Sequence, residues 1–218
     1  RKAINWRRCG KAMRKVWFMT GNRGKVAEAK HALQPLGFDV VQLQVEGVEI
    51  SEPQADNLEE VARSKIEQAI PYLPSPDDAL LVEDAGLFVD ALHGFPGVYS
   101  AYALKTIGFN GLLNLLQDTT QRTGSFHAVA ALWLDGKIHL SRGICQGEIA
   151  MQASGNDGFG FDPVFIPHPI QYNGVAYSTD GKTFADVDMI EKEKFSHRRK
   201  ALDGLIQILN ESKPASSS

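Results

Sequence analysis

The feature that most constrains the fold of this chain is a short apolar run that leads through a glycine-containing turn into a helical pattern. Residues 16–19 are typical of a buried strand, and they are followed directly by Thr20-Gly21-Asn22-Arg23-Gly24-Lys25. The first amides of a helix lack partners within the helix, and the helix dipole there favours negative charge. This order of strand, turn and helix predicts a phosphate-binding element. An ordinary strand-to-helix turn with a surface lysine is the alternative, and the segment alone favours neither.

Several residues of this turn have the chemistry that an anion site needs. Gly21 and Gly24 let the backbone approach a ligand because they carry no Cβ. Asn22 is a helix-capping residue type, and Lys25 places a positive charge in the first helical turn. Because a lysine at that end is slightly unfavourable for the helix alone, a bound anion would account for its presence.

The composition excludes several other classes of protein. A chain of 218 residues fits one domain, or one domain with two lobes. Its net charge of -3 gives no general attraction to nucleic acid or membranes. No apolar run approaches the roughly 20 residues that a membrane span needs. The two cysteines, Cys9 and Cys145, are too few for a disulfide framework, and the start lacks an apolar signal-peptide core, so we expect a cytoplasmic protein.

Basic residues crowd the first 15 positions. They could form an arm that touches nucleic acid or acidic lipid, or they could precede the natural start of the protein. We favour the second interpretation because Met13-Arg14-Lys15-Val16 resembles a natural start. We therefore predict a disordered or non-native basic extension over 1–12, a single domain over 13–211, and a disordered polar tail over 212–218.

Alternating helix and strand patterns predict an α/β fold. In order, we predict a helix over 24–36, a strand over Phe38–Leu43, a helix that Asp56 caps and that runs to about residue 70, a short buried strand over 79–82, and a helix over 108–116. Farther along, we predict a hairpin of 126–134 and 137–145 around Asp135-Gly136, an extended piece over 163–166 and a helix over 198–209. The hairpin indicates a long mixed central sheet flanked by helices rather than a purely parallel sheet.

Acidic residues follow the predicted strand over 79–82. Glu83 and Asp84 would lie at its carboxyl end, where ligands gather in open α/β sheets. Paired carboxylates can bind Mg²⁺ when phosphate completes its shell, although an acidic surface turn is the more common fate of such a pair. Glu52 precedes a helix, and a solvated loop position needs no special reason. Lys65 lies within that helix, where a solvated surface charge is the default interpretation.

Two further segments suit the recognition of a base. The glycine-rich loop over 155–163 contains Phe159 and Phe161, whose flat faces could stack on a nucleobase or equally well pack in the core. A basic cluster over 192–200 begins the last helix, with Ser196 as its candidate N-cap. Positive charge at this end opposes the helix dipole, so the cluster suits a bound anion or a carbonyl-rich base.

Together these segments resemble a family of purine nucleoside-triphosphate pyrophosphatases, the inosine triphosphatase or Ham1-like proteins. The likeness covers the chain from about Met13 to Leu209. It is closer to archaeal members of the family than to the human enzyme. It rests on four motifs in the family's order, which are Thr20-Gly21-Asn22-x-x-Lys25, Glu83-Asp84-Ala85-Gly86-Leu87 with Gly94-Phe95-Pro96-Gly97-Val98-Tyr99-Ser100-Ala101 behind it, Gly158-Phe159-Gly160-Phe161-Asp162-Pro163, and Ser196-His197-Arg198.

The resemblance implies Mg²⁺-dependent hydrolysis of ITP, dITP and XTP to the monophosphate and pyrophosphate, which would remove these purines from the nucleotide pool. It implies that Asp84 is the catalytic residue and, with Glu52, a metal ligand. It also implies a homodimer, with no membrane or nucleic-acid partner. The residues expected to bind the substrate are Thr20, Gly21, Asn22, Arg23, Gly24, Lys25, Lys65, Ala85, Phe159, Gly160, Phe161, Asp162, Lys192 (with Lys194 as its competitor), His197 and Arg198.

These roles form a coherent mechanism within an α/β fold of two lobes with a cleft between them. Asp84 would orient or deprotonate the water that attacks the α-phosphorus, and the lysines would stabilise charge on the phosphates. Donors from His197 and Arg198 would favour a 6-oxo group over an amine. Two alternatives stay open: a pyrophosphatase for modified pyrimidine triphosphates, and a nucleic-acid-binding module that uses the basic segments. The second does not explain the acidic pair at Glu83 and Asp84.

Overall fold

The computed structural model describes residues 14–211, and the side chains of residues 14–208. The predictions for 1–12 and 212–218 therefore fall outside the described part. The chain divides into two compact units. Unit 1 contains the described residues up to Asp84, then Val129–Arg142, and the described residues from Arg199 onward. Unit 2 contains Ala85–Ala128 and Gly143–Arg198.

A mixed six-stranded sheet flanked by helices confirms the predicted fold class. Its strand order is β2-β1-β3-β4-β5-β6. Strand β1 pairs in parallel with β2 and β3, whereas β5 pairs antiparallel with β6. The strands are β1 (Arg14–Met19), β2 (Phe38–Leu43), β3 (Ala79–Val89), β4 (Thr123–Leu134), β5 (Lys137–Ile149) and β6 (Phe165–Pro167). The separate two-stranded sheet consists of β7 (Ile170–Tyr172) and β8 (Val175–Tyr177).

The helices are α1 (Arg23–Leu33), α2 (Leu58–Ala69), α3 (Ser100–Thr106), α4 (Gly108–Leu115), α5 (Met189–Phe195) and α6 (His197–Glu211). The four predicted helices are present in the predicted order as α1, α2, α4 and α6, whereas α3 and α5 were not predicted. Helix α1 is followed by a 3-10 turn over Gln34–Leu36. This turn ends at Gly37, whose φ of 90° is a conformation that glycine adopts readily. None of the helices within the described residues is long and apolar enough to cross a membrane.

Two local predictions in unit 1 are wrong, and both errors have a physical cause. Helix α2 is capped by Asn57 rather than Asp56, because the Asn57 side chain accepts a hydrogen bond from the Glu60 amide at 2.9 Å. Strand β3 does not stop before Glu83 and Asp84 but continues to Val89. The two carboxylates can lie inside a strand because lysines of unit 1 contact them, which offsets the cost of burying charge.

The hairpin is confirmed. Strands β4 and β5 are joined by Asp135 and Gly136, both with positive φ (51° and 79°), as a primed two-residue turn requires. The predicted extended piece over 163–166 is partly wrong, because Asp162–Val164 forms a 3-10 turn and only the following residues form β6. The missing amide of Pro163 is compatible with the start of such a turn.

Each unit has apolar residues buried from solvent. In unit 1, the buried side chains include Phe18, Leu58, Ile66, Leu80 and Leu81. In unit 2, one cluster of buried residues includes Leu87, Leu112, Phe126, Phe161, Phe165, Phe184 and Phe195. Aromatic contacts order this cluster, for instance between Phe126 and Phe165, whose ring centroids are 4.6 Å apart. The cluster includes Phe161 of the glycine-rich loop that the sequence singles out.

Candidate active site

The turn before α1 has the predicted capping geometry. The Asn22 side chain caps the helix by accepting hydrogen bonds from the amides of Gly24 and Lys25 at 2.8 and 3.3 Å. Asn22 itself donates its amide to Thr20 Oγ1 at 3.1 Å. Gly21 is exposed, and a Cβ there would meet no atom within 4 Å. The turn thus presents open backbone at Gly21, while the two amides that we expected to offer to phosphate are engaged by the cap.

Lys25 reaches from α1 to the acidic segment of β3. Its ammonium lies 3.4 Å from Glu83 Oε2 and donates a hydrogen bond to the Glu83 carbonyl oxygen at 3.3 Å. The Glu83 side chain is only 5% exposed, so this pair lies largely out of water. Sequence reasoning missed the pairing because it placed Glu83 after the strand instead of within it.

The closest charge contacts in this region surround Lys65. From α2, its ammonium donates to Glu52 Oε1 at 2.5 Å and to Asp84 Oδ1 at 3.0 Å. The side chains of Lys65 and Asp84 are largely buried, whereas that of Glu52 is about half exposed. One cation thus joins the two carboxylates that the sequence analysis assigned to a metal.

Burial shifts the titration of the central pair. Desolvation raises the pKa of the Asp84 carboxyl above its ordinary value, although Lys65 and Lys25 oppose that rise. For Lys65, burial acts to lower the pKa, but attraction to Asp84 and Glu52 outweighs it and raises the pKa of the ammonium. A carboxylate whose pKa is raised toward neutrality is a better proton acceptor, which is the property that a general base needs.

Glu52 and Asp84 fit a divalent cation. Both place a carboxylate oxygen within 3.0 Å of the same ammonium, so both can reach one cation. The described residues contain no group of three or more His, Cys, Asp or Glu side chains arranged for a metal. A pair of carboxylates is compatible with Mg²⁺, which commonly takes one or two protein carboxylates and completes its shell with water and substrate phosphate.

Unit 2 holds the glycine-rich loop in a tight turn around Asp162. The buried Asp162 carboxylate accepts hydrogen bonds from the Phe159 amide at 2.8 Å and from the Lys192 ammonium at 2.6 Å. Gly158 has a φ of 84°, and a Cβ there would lie 2.5 Å from Asp162 Oδ2, so no larger residue fits without a shift. Of the two candidate lysines, Lys192 contacts the loop, whereas Lys194 lies over the Tyr177 ring.

The two phenylalanines of this loop differ in exposure. Phe159 is 43% exposed, and its ring lies 4.6 Å from the Arg198 guanidinium carbon and 4.9 Å from the Lys192 ammonium. Phe161 is only 4% exposed and packs in the core of unit 2. Of the two alternatives for these rings, packing in the core holds for Phe161, whereas Phe159 stays a candidate for stacking on a base.

The segment at the start of α6 is buried rather than solvated. His197 and Arg198 are 5% and 8% exposed, and the His197 ring stacks on Phe126 at a centroid distance of 4.9 Å. Ser196 directly precedes the helix, and its role as N-cap stays a prediction. Ala85 follows Asp84 within β3 and is half-buried. Burial of a cationic side chain such as Arg198 is costly, and a position of this kind is therefore a candidate for ligand recognition.

Comparison with known proteins decides the family. A model of the Ham1 family matches residues 16–208. The chain belongs to the Ham1 family. It is 44% identical over 194 residues to a dITP/XTP pyrophosphatase of Thermococcus kodakarensis, which covers 89% of this chain and 96% of that protein. It is 38% identical over 195 residues to the protein of the same name from Pyrococcus horikoshii, with the same two coverages.

Solved structures agree with this assignment. The Ham1 protein of Staphylococcus aureus superposes with a TM-score of 0.73 at 28% sequence identity, and covers 92% of this chain and 100% of that one. A Ham1 protein from Coxiella burnetii has the same TM-score at 27% identity, with the same coverages. The expected family and its archaeal likeness are thereby confirmed.

One polar cluster of this Ham1 protein was not predicted from the sequence. Asp186 Oδ2 accepts hydrogen bonds from Ser154 Oγ at 2.5 Å, from Thr183 Oγ1 at 2.8 Å and from the Thr183 amide at 3.1 Å. Next to it, Gly155 approaches Ala185 so closely that a Cβ would lie 2.2 Å from its carbonyl. This cluster, here named the loop clamp (Ser154, Thr183 and Asp186), holds the start of the glycine-rich loop. The Thr-x-x-Asp spacing was its only local signal.

Proposed function

We propose that this Ham1-family chain is a nucleoside-triphosphate pyrophosphohydrolase that converts ITP, dITP and XTP to the monophosphate and pyrophosphate. The observation that carries the proposal is the buried contact between Asp84 and Lys65 in a chain whose archaeal relatives are named dITP/XTP pyrophosphatases. Such an enzyme clears these purines from the nucleotide pool.

Unit 1 carries the residues for the triphosphate. Thr20 to Lys25 form the turn whose exposed backbone and lysine suit negative charge, and Lys65 adds a second ammonium. Fixed positive charges in a partly desolvated site stabilise the charge that develops on the departing pyrophosphate. Asp84 orients the attacking water and accepts its proton, because burial raises the pKa of this carboxyl.

Glu52 and Asp84 are the residues that would hold Mg²⁺. When bound, this ion neutralises phosphate charge and makes a water more acidic. Asp84 therefore has two tasks, ligation and proton transfer, and Glu52 has only the first. The half-exposed position of Glu52 suits a ligand that faces entering solvent and phosphate.

Unit 2 carries the residues for the purine. Phe159 offers an exposed ring for stacking, and Asp162 fixes the loop that bears it. His197 and Arg198 supply donors for the 6-oxo group. Lys192 donates a hydrogen bond to Asp162 and lies over the same Phe159 ring as Arg198. An amine in place of the oxo group would leave a buried donor without an acceptor, which disfavours adenine nucleotides.

We further propose that the enzyme is a cytoplasmic homodimer. Support comes from a short segment of unit 2 that exposes four large apolar side chains, which are Phe95, Tyr99, Tyr102 and Ile107, between 40% and 69% exposed. Aromatic residues of this kind are enriched at protein interfaces. Analytical ultracentrifugation of the protein and of a Tyr102→Glu variant would test the assembly.

Product analysis in ¹⁸O-labelled water tests the proposed reaction. With Mg²⁺, the protein should convert ITP, dITP and XTP well ahead of ATP and a panel of modified pyrimidine triphosphates, with ¹⁸O in the monophosphate because water attacks the α-phosphorus. Asp84→Asn protein, purified in the same way, serves as the control for contaminating enzymes. Release of IDP and orthophosphate, or a preference for the pyrimidines, would contradict the proposal.

A further inference from the structure

We propose that the Lys65 ammonium is an internal substitute for the divalent cation. In the metal-free protein it holds Glu52 and Asp84 together, and it leaves them when the metal binds. This inference rests on the proposed function, because it concerns the metal and phosphate chemistry of the same residues. It adds a positioning role for Lys65 that its expected contact with phosphate does not include.

The contacts of Lys65 carry the first step of the argument. One ammonium nitrogen lies 2.5 Å from Glu52 Oε1 and 3.0 Å from Asp84 Oδ1. The three groups come from separate segments, namely the loop before α2, α2 itself and β3. Lys65 therefore connects two carboxylates that belong to different segments, and it can hold their oxygens close together.

The burial of Asp84 carries the second step. Its side chain is 12% exposed, and an ionised carboxylate in such surroundings is unfavourable without a cation beside it. Glu52 brings a second negative charge close to it, which adds repulsion. The lysine ammonium offsets both effects, because it contacts the two carboxylates at 2.5 and 3.0 Å and so holds them close together.

Charge arithmetic carries the third step. A divalent cation on the same two carboxylates would lie within a few ångströms of the Lys65 ammonium. Because both groups are positively charged, they would repel each other strongly in a partly buried site. Exchange of one cation for the other avoids this repulsion. The released ammonium is then available to the phosphates. Lys65 can therefore contact the carboxylates before the metal binds and the substrate afterwards.

Metal titrations without nucleotide test this exchange. Mn²⁺ binding, followed by the electron paramagnetic resonance signal of free Mn²⁺ at pH 8, should be at least about tenfold tighter in Lys65→Met than in the unmodified protein, since a competing charge is gone. Lys65→Arg keeps the charge and should stay near the unmodified value. Asp84→Asn should abolish the binding of Mn²⁺ to Glu52 and Asp84. Its titration therefore shows which part of the signal comes from this pair.

Lys25→Met is the matched control for a general loss of positive charge. Lys25 also lies in unit 1, but its ammonium contacts Glu83 rather than the two proposed ligands. We expect less than about a threefold change in Mn²⁺ affinity for this variant, because only the longer-range field changes. An equal gain in Mn²⁺ affinity in both variants would overturn the proposed role of Lys65 as a substitute for the cation, because net charge alone would then explain the result.

A measurement on the unmodified protein keeps the inference testable if Lys65→Met does not fold. The ¹⁵N resonance of the Lys65 ammonium should shift on saturation with diamagnetic Mg²⁺, with the carboxyl resonances of Glu52 and Asp84 changing in parallel. A Lys65 resonance that does not respond while Asp84 does would overturn the exchange. Because no nucleotide is present, the result is independent of whether ITP, dITP or XTP is the substrate.

Discussion

The cations of the candidate site have different partners in unit 1 and in unit 2. In unit 1, Lys25 and Lys65 pair with carboxylates of β3 at 3.4 and 3.0 Å. In unit 2, Lys192 and Arg198 lie over the exposed ring of Phe159 at 4.9 and 4.6 Å. Lys192 combines both kinds of contact, because it also pairs with Asp162.

The difference indicates which step each unit affects. We propose that phosphate and metal enter the network of ammonium groups and carboxylates by exchanging partners, and changes there should then alter turnover. Cations over an aromatic ring lie beside a flat apolar face, which suits a base, so changes there should alter affinity and the choice of base. The predictions below test this division, beginning with the largest expected effect.

The replacement of Asp84 should have the largest effect. Asp84→Asn keeps the shape of the side chain but removes its charge and basicity, so we expect kcat to fall on the order of 100-fold or more. Steady-state kinetics with dITP and Mg²⁺ would measure this. Glu83→Gln is the matched control in the same strand and should cost less if Glu83 only holds Lys25. Full activity of Asp84→Asn would contradict the catalytic role of Asp84 and the assignment of turnover to unit 1.

The loss of Arg198 should have the next largest effect, and it should depend on the base. Removal of a donor from a buried acceptor costs about 1–3 kcal/mol, or roughly 5- to 150-fold in kcat/KM for ITP. ATP lacks the 6-oxo acceptor, so its kcat/KM should fall less in Arg198→Ala. Lys194→Ala removes a cation of the same cluster that contacts Tyr177, and serves as control. An equal loss for both nucleotides would mean that Arg198 does not read the base.

The loop clamp should have a smaller effect that is specific to binding. Asp186→Ala removes the acceptor shared by Ser154 and Thr183, so the start of the glycine-rich loop becomes less fixed. We expect KM for dITP to rise about 3- to 10-fold with kcat nearly unchanged, as for the loss of a few hydrogen bonds. Asp186→Asn keeps an acceptor and should restore much of the affinity. A fall in kcat without a change in KM would contradict this positioning role.

The smallest expected effect is a difference in pKa between the carboxyl groups of two aspartates, Asp84 and Asp186, which carboxyl titration would measure. In the metal-free protein, ¹³C resonances should give Asp84 a pKa above the ordinary 3.8, because burial disfavours its charge. Asp186 should have a pKa below that value, because hydrogen bonds from Ser154 and Thr183 favour its charge. Lys65→Met should raise the pKa of Asp84 further. A pKa of Asp84 at or below 3.8 would contradict the desolvation argument.

These shifts have opposite consequences for stability. Folding raises the pKa of Asp84, so its ionisation disfavours the folded state, and its contribution to stability falls as pH rises from the unfolded pKa through the folded one. Folding lowers the pKa of Asp186. Its contribution is present above the unfolded pKa and is lost as pH falls through the lowered folded pKa.

Much of the fold was predictable because local patterns specify it. Strand β2 has the predicted bounds, the β4–β5 hairpin turns at Asp135 and Gly136, and Asn22 caps α1. Each of these depends on residues within a few positions of one another. The cap of α2 was missed by one residue, because Asp56 and Asn57 have similar capping propensity and only their backbone geometry separates them.

The sequence by itself determined the family, the order of the elements and the residue types of the candidate site. The tertiary structure decided which of those residues meet. Lys65 joins Glu52 and Asp84, and β3 continues through the acidic pair, because partners distant in the chain neutralise the buried charge. The tertiary structure also decided that Phe159 is exposed and Phe161 is buried. Two phenylalanines in one loop have the same local signal, and only packing against a core assembled from distant residues distinguishes them.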